Sequence, residues 1–60
     1  MWIITKDGMA INSDYVSKLY YRQDVTMAKV DGQTTIIATG DVIAPLIEAM
    51  KNNKTIDLRL

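Results

Sequence analysis

The chain contains no cysteine and no histidine, and these two absences remove the commonest routes to catalysis. Without them a Ser-His or Cys-His nucleophile pair cannot form, and the side chain that usually moves protons near neutral pH is missing. No disulfide can brace the fold, and the nitrogen and sulfur ligands that a structural zinc ion prefers are absent. The three glycines are not spaced as a phosphate-binding loop. We therefore expect a protein that is not an enzyme and that binds neither a cofactor nor a metal.

An excess of charge of one sign is also lacking, because seven basic and seven acidic residues cancel. Modules that bind nucleic acid through its phosphates usually carry a basic excess, so this balance argues against that class. The most apolar window, residues 36–50, falls short of the roughly 20 residues that a membrane-spanning helix needs. No cationic segment precedes a long apolar stretch, as it would in a signal peptide. We expect a cytoplasmic protein with no membrane partner.

The small size of the chain predicts one domain, residues 1–60. A chain of this length buries only about 60% of the surface that its unfolded form exposes. Its hydrophobic content of 48% is nevertheless too high for a disordered protein. Since neither disulfides nor metals can add stability, association between copies is the remaining way to bury more surface. The expectation is a homodimer or a larger assembly.

Two Asp-Gly pairs flanked by alternating apolar residues are the clearest local signals in the chain. Asp7-Gly8 separates residues 2–5 from residues 9–11, and Asp31-Gly32 separates residues 25–30 from residues 34–39. A two-residue hairpin turn needs positive φ at both central positions, which Asp-Gly adopts at little cost. Both pairs therefore predict hairpins. In the second arm of the later hairpin an isoleucine falls on each face, which indicates a strand covered on both sides or lying at an interface.

The segment between these hairpins can be interpreted in two ways. Asn12-Ser13-Asp14 is typical of a turn. As a strand, residues 15–22 alternate their side chains between two faces. As a helix, they place three apolar residues at helical spacing behind Ser13 as a possible N-cap. The short length and the enrichment in tyrosine, valine and leucine favour the strand.

The end of the chain combines one helix with a final alternating stretch. Asp41 is a suitable N-cap, and the helix begins either at Val42 with Pro45 in its first turn or at Pro45 itself. Its apolar face should cover the sheet and consists of Ile43, Leu46, Ile47 and Met50. The last six residues alternate, with Ile56, Leu58 and Leu60 on one face. Such a strand pairs either with its own sheet or with the edge of a neighbouring molecule.

Taken together, these elements predict an α+β fold, in which a small, bent antiparallel sheet of four to five strands carries one C-terminal helix and a possible terminal strand. Trp2 is expected to anchor the first strand in the core. Because Tyr20 and Tyr21 are adjacent on a strand, their rings must face opposite ways.

The candidate interaction residues lie in the central strand and in the tail. Aromatic rings interleaved with cations suit a protein contact or single-stranded nucleic acid. The alternative is that the rings fill the core while the cations are solvated. The residues are Tyr15, Tyr20, Tyr21, Lys18 and Arg22, with Ile56, Leu58 and Leu60 in the tail.

This order of turns, strands and helix resembles small proteins of Gram-positive bacteria and their phages, and it is similar in layout to the flagellar FlbD/SwrD-type proteins. The shared elements are Asp7-Gly8, residues 12–19, Asp31-Gly32 and the helix over residues 41–50. Residues 55–60 and Pro45 depart from the flagellar pattern. The resemblance implies no catalytic residue. The missing catalytic residues, the small size and the unpaired final strand favour a non-enzymatic protein-interaction module acting as a homo-oligomer, such as a regulator or inhibitor encoded by a phage or mobile element. The alternative is a nucleic-acid-associated module.

Overall fold

In the computed structural model, which describes residues 1–59, six strands form two three-stranded sheets beside one helix. The α+β class is confirmed, whereas the single sheet of four to five strands is wrong. One sheet has the order β2-β1-β6 and the other the order β3-β4-β5. The chain changes sheets at a short 3₁₀ turn, Ser13–Tyr15, where the Asn12 side chain accepts a hydrogen bond from the Asp14 amide at 3.0 Å. The elements in chain order are β1 (Trp2–Ile4), β2 (Ala10–Asn12), β3 (Val16–Arg22), β4 (Val25–Val30), β5 (Gln33–Thr39), α1 (Ile43–Lys51) and β6 (Ile56–Asp57).

Two tight turns fix the β3-β4-β5 meander. Asp31 and Gly32 both have positive φ, at 50° and 83°, as the sequence predicts. Gln23 and Asp24 form a second turn of the same kind, with φ of 53° and 67°. The strand interpretation of residues 16–22 is therefore confirmed, while Tyr15 belongs to the 3₁₀ turn. Because each two-residue turn sets the register of its strands, the residues that face one another across the meander follow from the turns.

The first hairpin departs from the predicted two-residue turn. Only Gly8 has a positive φ there, at 87°. The loop is longer, because the Thr5 amide donates to the Met9 carbonyl at 2.7 Å and the Gly8 amide donates to the Thr5 carbonyl at 2.9 Å. The buried Thr5 hydroxyl also accepts from the Met9 amide, at 3.0 Å. These bonds stabilise a three-residue loop that ends in a left-handed residue, a common alternative for an Asp-Gly pair.

The core draws one residue from each of four elements. The fully buried cluster consists of Ile3, Ala28, Ile37 and Leu46. The prediction that Trp2 is buried is wrong, since its side chain is 50% exposed. Successive side chains of a strand alternate, so the burial of Ile3 places Trp2 on the opposite face of β1.

A bulge in β5 allows both Ile37 and Ala38 to be buried. Met27 pairs with Ile36 and Thr26 pairs with Ala38, which leaves Ile37 as an extra residue in the ladder. The Ile37 carbonyl accepts a hydrogen bond from the Lys6 amide at 2.8 Å, and this bond joins the two sheets.

The start of α1 is held by the buried hydroxyl of Thr26. This hydroxyl donates to the Gly40 carbonyl at 2.7 Å and accepts from the Val42 amide at 3.1 Å. The predicted N-cap at Asp41 is wrong, because the helix begins at Ile43 and its N-cap is Val42. The Asp41 carboxylate nevertheless accepts a hydrogen bond from the Ile43 amide at 3.1 Å. A side chain that accepts from an early amide satisfies one of the unpaired donors at the helix start.

Only part of the helical face predicted to cover the sheet does so. Leu46 is buried and Ile43 is half-buried, whereas Ile47 is 50% and Met50 40% exposed. The helix therefore contacts the core with one edge of its apolar face.

The tail pairs within the chain, through a strand of two residues rather than six. β6 runs parallel to β1, with Ile56 opposite Ile3 and Asp57 opposite Ile4. The Leu58 amide donates to the Ile4 carbonyl at 2.8 Å. Ile56 and Leu58 pack against the core, and Leu60 lies outside the described residues.

Replacing Thr26 with valine should destabilise the fold by about 2 kcal/mol, because the Gly40 carbonyl and the Val42 amide each lose a buried partner. Urea denaturation followed by circular dichroism measures the change. Thr39→Val, at an exposed position of the neighbouring strand, is the matched control and should stay within about 0.5 kcal/mol of the parent. Equal effects in the two variants would contradict the role assigned to Thr26.

Replacing Ile56 with alanine should lower stability by about 1–2 kcal/mol, since half-buried apolar surface is lost from the pairing of β6 with β1. For a domain of this size the melting temperature should fall by about 5–15 °C. Truncation after Asn53 should lower it further. An unchanged melting temperature in both forms would show that the tail adds nothing to the fold.

Candidate functional site

The β3-β4-β5 sheet has one side turned away from the core, which we call the outer face. Residues directly opposite on neighbouring strands project to the same side of a sheet. Tyr20 faces Met27, and Met27 faces Ile36, so these three side chains form a continuous row across all three strands. Tyr20 and Met27 are half-buried, and Ile36 is 44% exposed. The row is the apolar centre of the outer face.

Cations flank this row on both sides. Lys18 lies directly opposite Lys29 at one end of the face, and Arg22 lies opposite Val25 at the other. Like charges placed directly opposite one another on a sheet are destabilising. Within residues 1–59 the ion pairs are Lys6–Asp7 and Asp57–Arg59, so no carboxylate neutralises the three cations of the outer face. The face therefore carries positive charge on a chain whose net charge is zero.

The ring of Tyr20 is already in contact with a cation. The Lys18 ammonium nitrogen lies 5.1 Å from the ring centroid, which is within the range of a cation–π interaction. This contact orders the Lys18 side chain and covers part of the ring. It also draws the charge of Lys18 towards the apolar row.

Tyr21 takes no part in the outer face. It lies opposite the buried Thr26, and its hydroxyl donates to the Asp24 carboxylate at 3.1 Å. The hydrogen bond to Asp24, followed by the charge of the same carboxylate, raises the pKa of Tyr21. The ring thus braces the turn between β3 and β4.

The structure brings together three of the eight candidate residues. Lys18, Tyr20 and Arg22 share the outer face, as their spacing on a strand requires. Tyr15 is 61% exposed in the 3₁₀ turn, whereas Ile56 and Leu58 pack on the core beside the other sheet. The remaining two, Tyr21 and Leu60, are accounted for above.

Met27, Lys29 and Ile36 belong to the outer face but were not predicted from the sequence as site residues. Their positions follow from the tight turns, because counting outwards from Gln23-Asp24 places Met27 opposite Tyr20 and Lys29 opposite Lys18. For the pairing of Met27 with Ile36, the signal was present in the Asp31-Gly32 turn. Gln23-Asp24 has no glycine to mark its turn, so the pairing of β3 with β4 had no comparable signal.

A cleft of about 420 Å³ lies on another side of the molecule, beside β6 and the start of α1. Its charged groups are already engaged. The Arg59 guanidinium donates to both carboxylate oxygens of Asp57, with nitrogen–oxygen distances of 2.6–3.2 Å, and Lys6 pairs with Asp7 at 3.4 Å. The hydrogen bonds from Arg59 lower the pKa of Asp57 to about 2. Because its charged side chains already form ion pairs, this cleft is a weaker candidate site for a charged ligand than the outer face.

Within residues 1–59 no three carboxylates are grouped to hold a metal ion, and no helix is long and apolar enough to cross a membrane.

Comparison with known proteins adds no assignment. No protein-family model, curated protein or solved structure matches this chain.

Replacing Asp24 with asparagine should lower the pKa of Tyr21 towards 10, because the carboxylate that raises it is removed. In the parent chain the stabilising bond is present below pH 10 and is lost as the pH rises through the raised pKa of Tyr21. An NMR titration of the ring carbons measures the shift. Asp31→Asn, at the equivalent hairpin far from Tyr21 in the meander, is the control and should leave that pKa unchanged. A pKa that stays raised in Asp24→Asn would refute the assignment.

Proposed function

We propose that this chain is a non-enzymatic protein-interaction module that binds its partner through the outer face. The observation that carries the proposal is the apolar row of half-buried Tyr20 and Met27 and exposed Ile36, which lies between cations that form no ion pair with a carboxylate of the described residues. An apolar centre with a charged rim is the usual anatomy of a protein interface. Tyrosine and arginine, both present here, are the residue types enriched among strong interface contacts.

The size of the molecule is consistent with one such interface. A standard protein contact takes about 800 Å² from each partner. That is about one-fifth of the 4071 Å² of accessible surface on this molecule. A single partner seated on the outer face and its rim would cover an area of this order. We therefore propose a regulator or inhibitor in the cytoplasm, of the phage or mobile-element kind that the resemblance suggests.

Self-association is part of the proposal and is assigned to a different surface. A two-fold contact through the outer face would place Lys18, Lys29 and Arg22 against the same three cations of a second copy. The exposed side chains of α1, Ile47 and Met50, carry no such charge and suit contact with another copy better.

Association with nucleic acid is the second candidate, and the three unpaired cations are the observation that favours it. Proteins that bind single strands use several aromatic rings in succession as stacking platforms. The outer face offers one ring, Tyr20, which Lys18 partly covers. The protein partner is therefore the better-supported proposal.

Ile36→Asp should abolish capture of the partner, because it places a charge in the apolar row at a site exposed enough to leave the fold intact. A tagged chain is used to recover bound molecules from a lysate of the source cells, with and without nuclease treatment, and mass spectrometry identifies them. Ile47→Asp, an equally exposed isoleucine on α1, is the matched control and should retain the same partner. Sedimentation of both variants tests self-association, which Ile47→Asp should weaken.

Two outcomes would contradict the proposal. Recovery that depends on nuclease-sensitive material would favour the nucleic-acid alternative. Identical recovery by the parent and by Ile36→Asp would show that the outer face is not the binding surface.

A further inference from the structure

We propose that the partner presents an acidic amphipathic segment, with apolar side chains on the Tyr20–Met27–Ile36 row and carboxylates beside Lys18, Lys29 and Arg22. This inference rests on the proposed function and adds the chemistry of the partner. It is carried by charge complementarity, since the three cations border the row and no carboxylate of the described chain pairs with them.

The sheet geometry fixes where the charges of such a segment must lie. Strands rise about 3.3 Å per residue, so Lys18 and Arg22 each stand about 7 Å from Tyr20 along β3. Neighbouring strands are about 4.8 Å apart, so the row across three strands is about 10 Å long. A segment with two or three apolar side chains spans that length. Its carboxylates then fall about 7 Å to either side.

The charges are also distributed unevenly across the face. All three cations lie on β3 and β4, whereas the outward positions of β5 beside Ile36 are Thr34 and Thr39. Two cations stand at the Lys18 end and one at the Arg22 end. The partner should therefore carry most of its acidic residues over the β3–β4 half, with an uncharged side over β5.

The opposition of Lys18 and Lys29 gives the free protein a repulsion that a bound carboxylate would relieve. A carboxylate between the two ammonium groups turns an unfavourable pair into two favourable ones. A basic or neutral segment would leave the repulsion in place. The register, which places Lys18 opposite Lys29, therefore disfavours basic and neutral segments relative to acidic ones.

A selection from a library of random 12-residue peptides, displayed against the immobilised parent chain, tests this chemistry. We expect the enriched peptides to contain at least two aspartates or glutamates next to large apolar residues. Amide chemical shifts of the protein should change most at β3–β5 positions of the outer face when such a peptide is added. Replacing the acids of the peptide with their amides should weaken binding about tenfold, the effect of one to two surface ion pairs.

Charge variants of the protein provide the second readout. K29E should weaken binding of the selected peptide while raising the melting temperature, because it replaces the like-charged opposition to Lys18 with an attractive one and keeps the contact between Lys18 and Tyr20. Loss of binding with a gain of stability cannot be caused by unfolding. K51E, at an exposed lysine on α1, is the matched control and should leave binding unchanged.

The remaining outcomes separate the two proposals. Peptides that bind the outer face without any acidic preference would overturn the acidic partner and leave the interaction surface standing. Peptides that bind elsewhere, or no enriched peptide at all, would overturn both. A 12-nucleotide thymidine single strand that binds the outer face more tightly than the selected peptides would favour nucleic acid and also overturn the acidic segment.

Discussion

The bulge at Ile37 is the constraint on which both the core and the outer face depend. Up to Met27 and Ile36 the ladder between β4 and β5 follows the register of the Asp31-Gly32 turn, and beyond Ile37 it is shifted by one residue. The shift turns Ala38 rather than Ile37 towards Thr26. It leaves the Ile37 carbonyl free to accept from the Lys6 amide of the other sheet. One inserted residue thus lets two sheets share a core.

The same shift positions the start of the helix. Because Ala38 lies opposite Thr26, the chain that follows passes close enough for the Thr26 hydroxyl to bond with Gly40 and Val42 on either side of the bend. The Gly40 amide also donates to the Asp24 carbonyl, at 2.6 Å, and ties the end of β5 to the turn before β4. The helix α1 therefore lies on the core side of the β3-β4-β5 sheet. The outer side is left without a covering element.

The local elements were predictable from the sequence because each depends on a few adjacent residues. Asp31-Gly32 specifies its turn by itself, and the alternation of residues 16–22 then follows from the pairing with β4. Adjacent tyrosines must diverge on a strand, and Tyr20 and Tyr21 do so.

The features that could not be predicted depend on partners distant in the sequence. The bulge at Ile37 has no signature in the amino-acid composition. Alternation alone allows either Trp2 or Ile3 to face the core, and only packing against the other sheet decides between them. The parallel pairing of Ile56 with Ile3 spans nearly the whole chain. The candidate site was half-predictable for the same reason, since Lys18, Tyr20 and Arg22 lie on one strand and their neighbours on others.

The position of Lys29 is the observation that best supports the proposed binding surface over a merely solvated one. A sheet face meant only for water is best served by charges of opposite sign on neighbouring strands, which attract one another and hide the apolar residues between them. Here Lys29 faces Lys18, and both border a row that ends in the exposed Ile36. That arrangement is unfavourable in water on two counts, because the ammonium groups repel and the isoleucine is hydrated. Both costs disappear when an apolar side chain flanked by carboxylates covers the row. The same cations oppose stacking of one outer face on another, and in the proposed function they favour a partner of opposite charge.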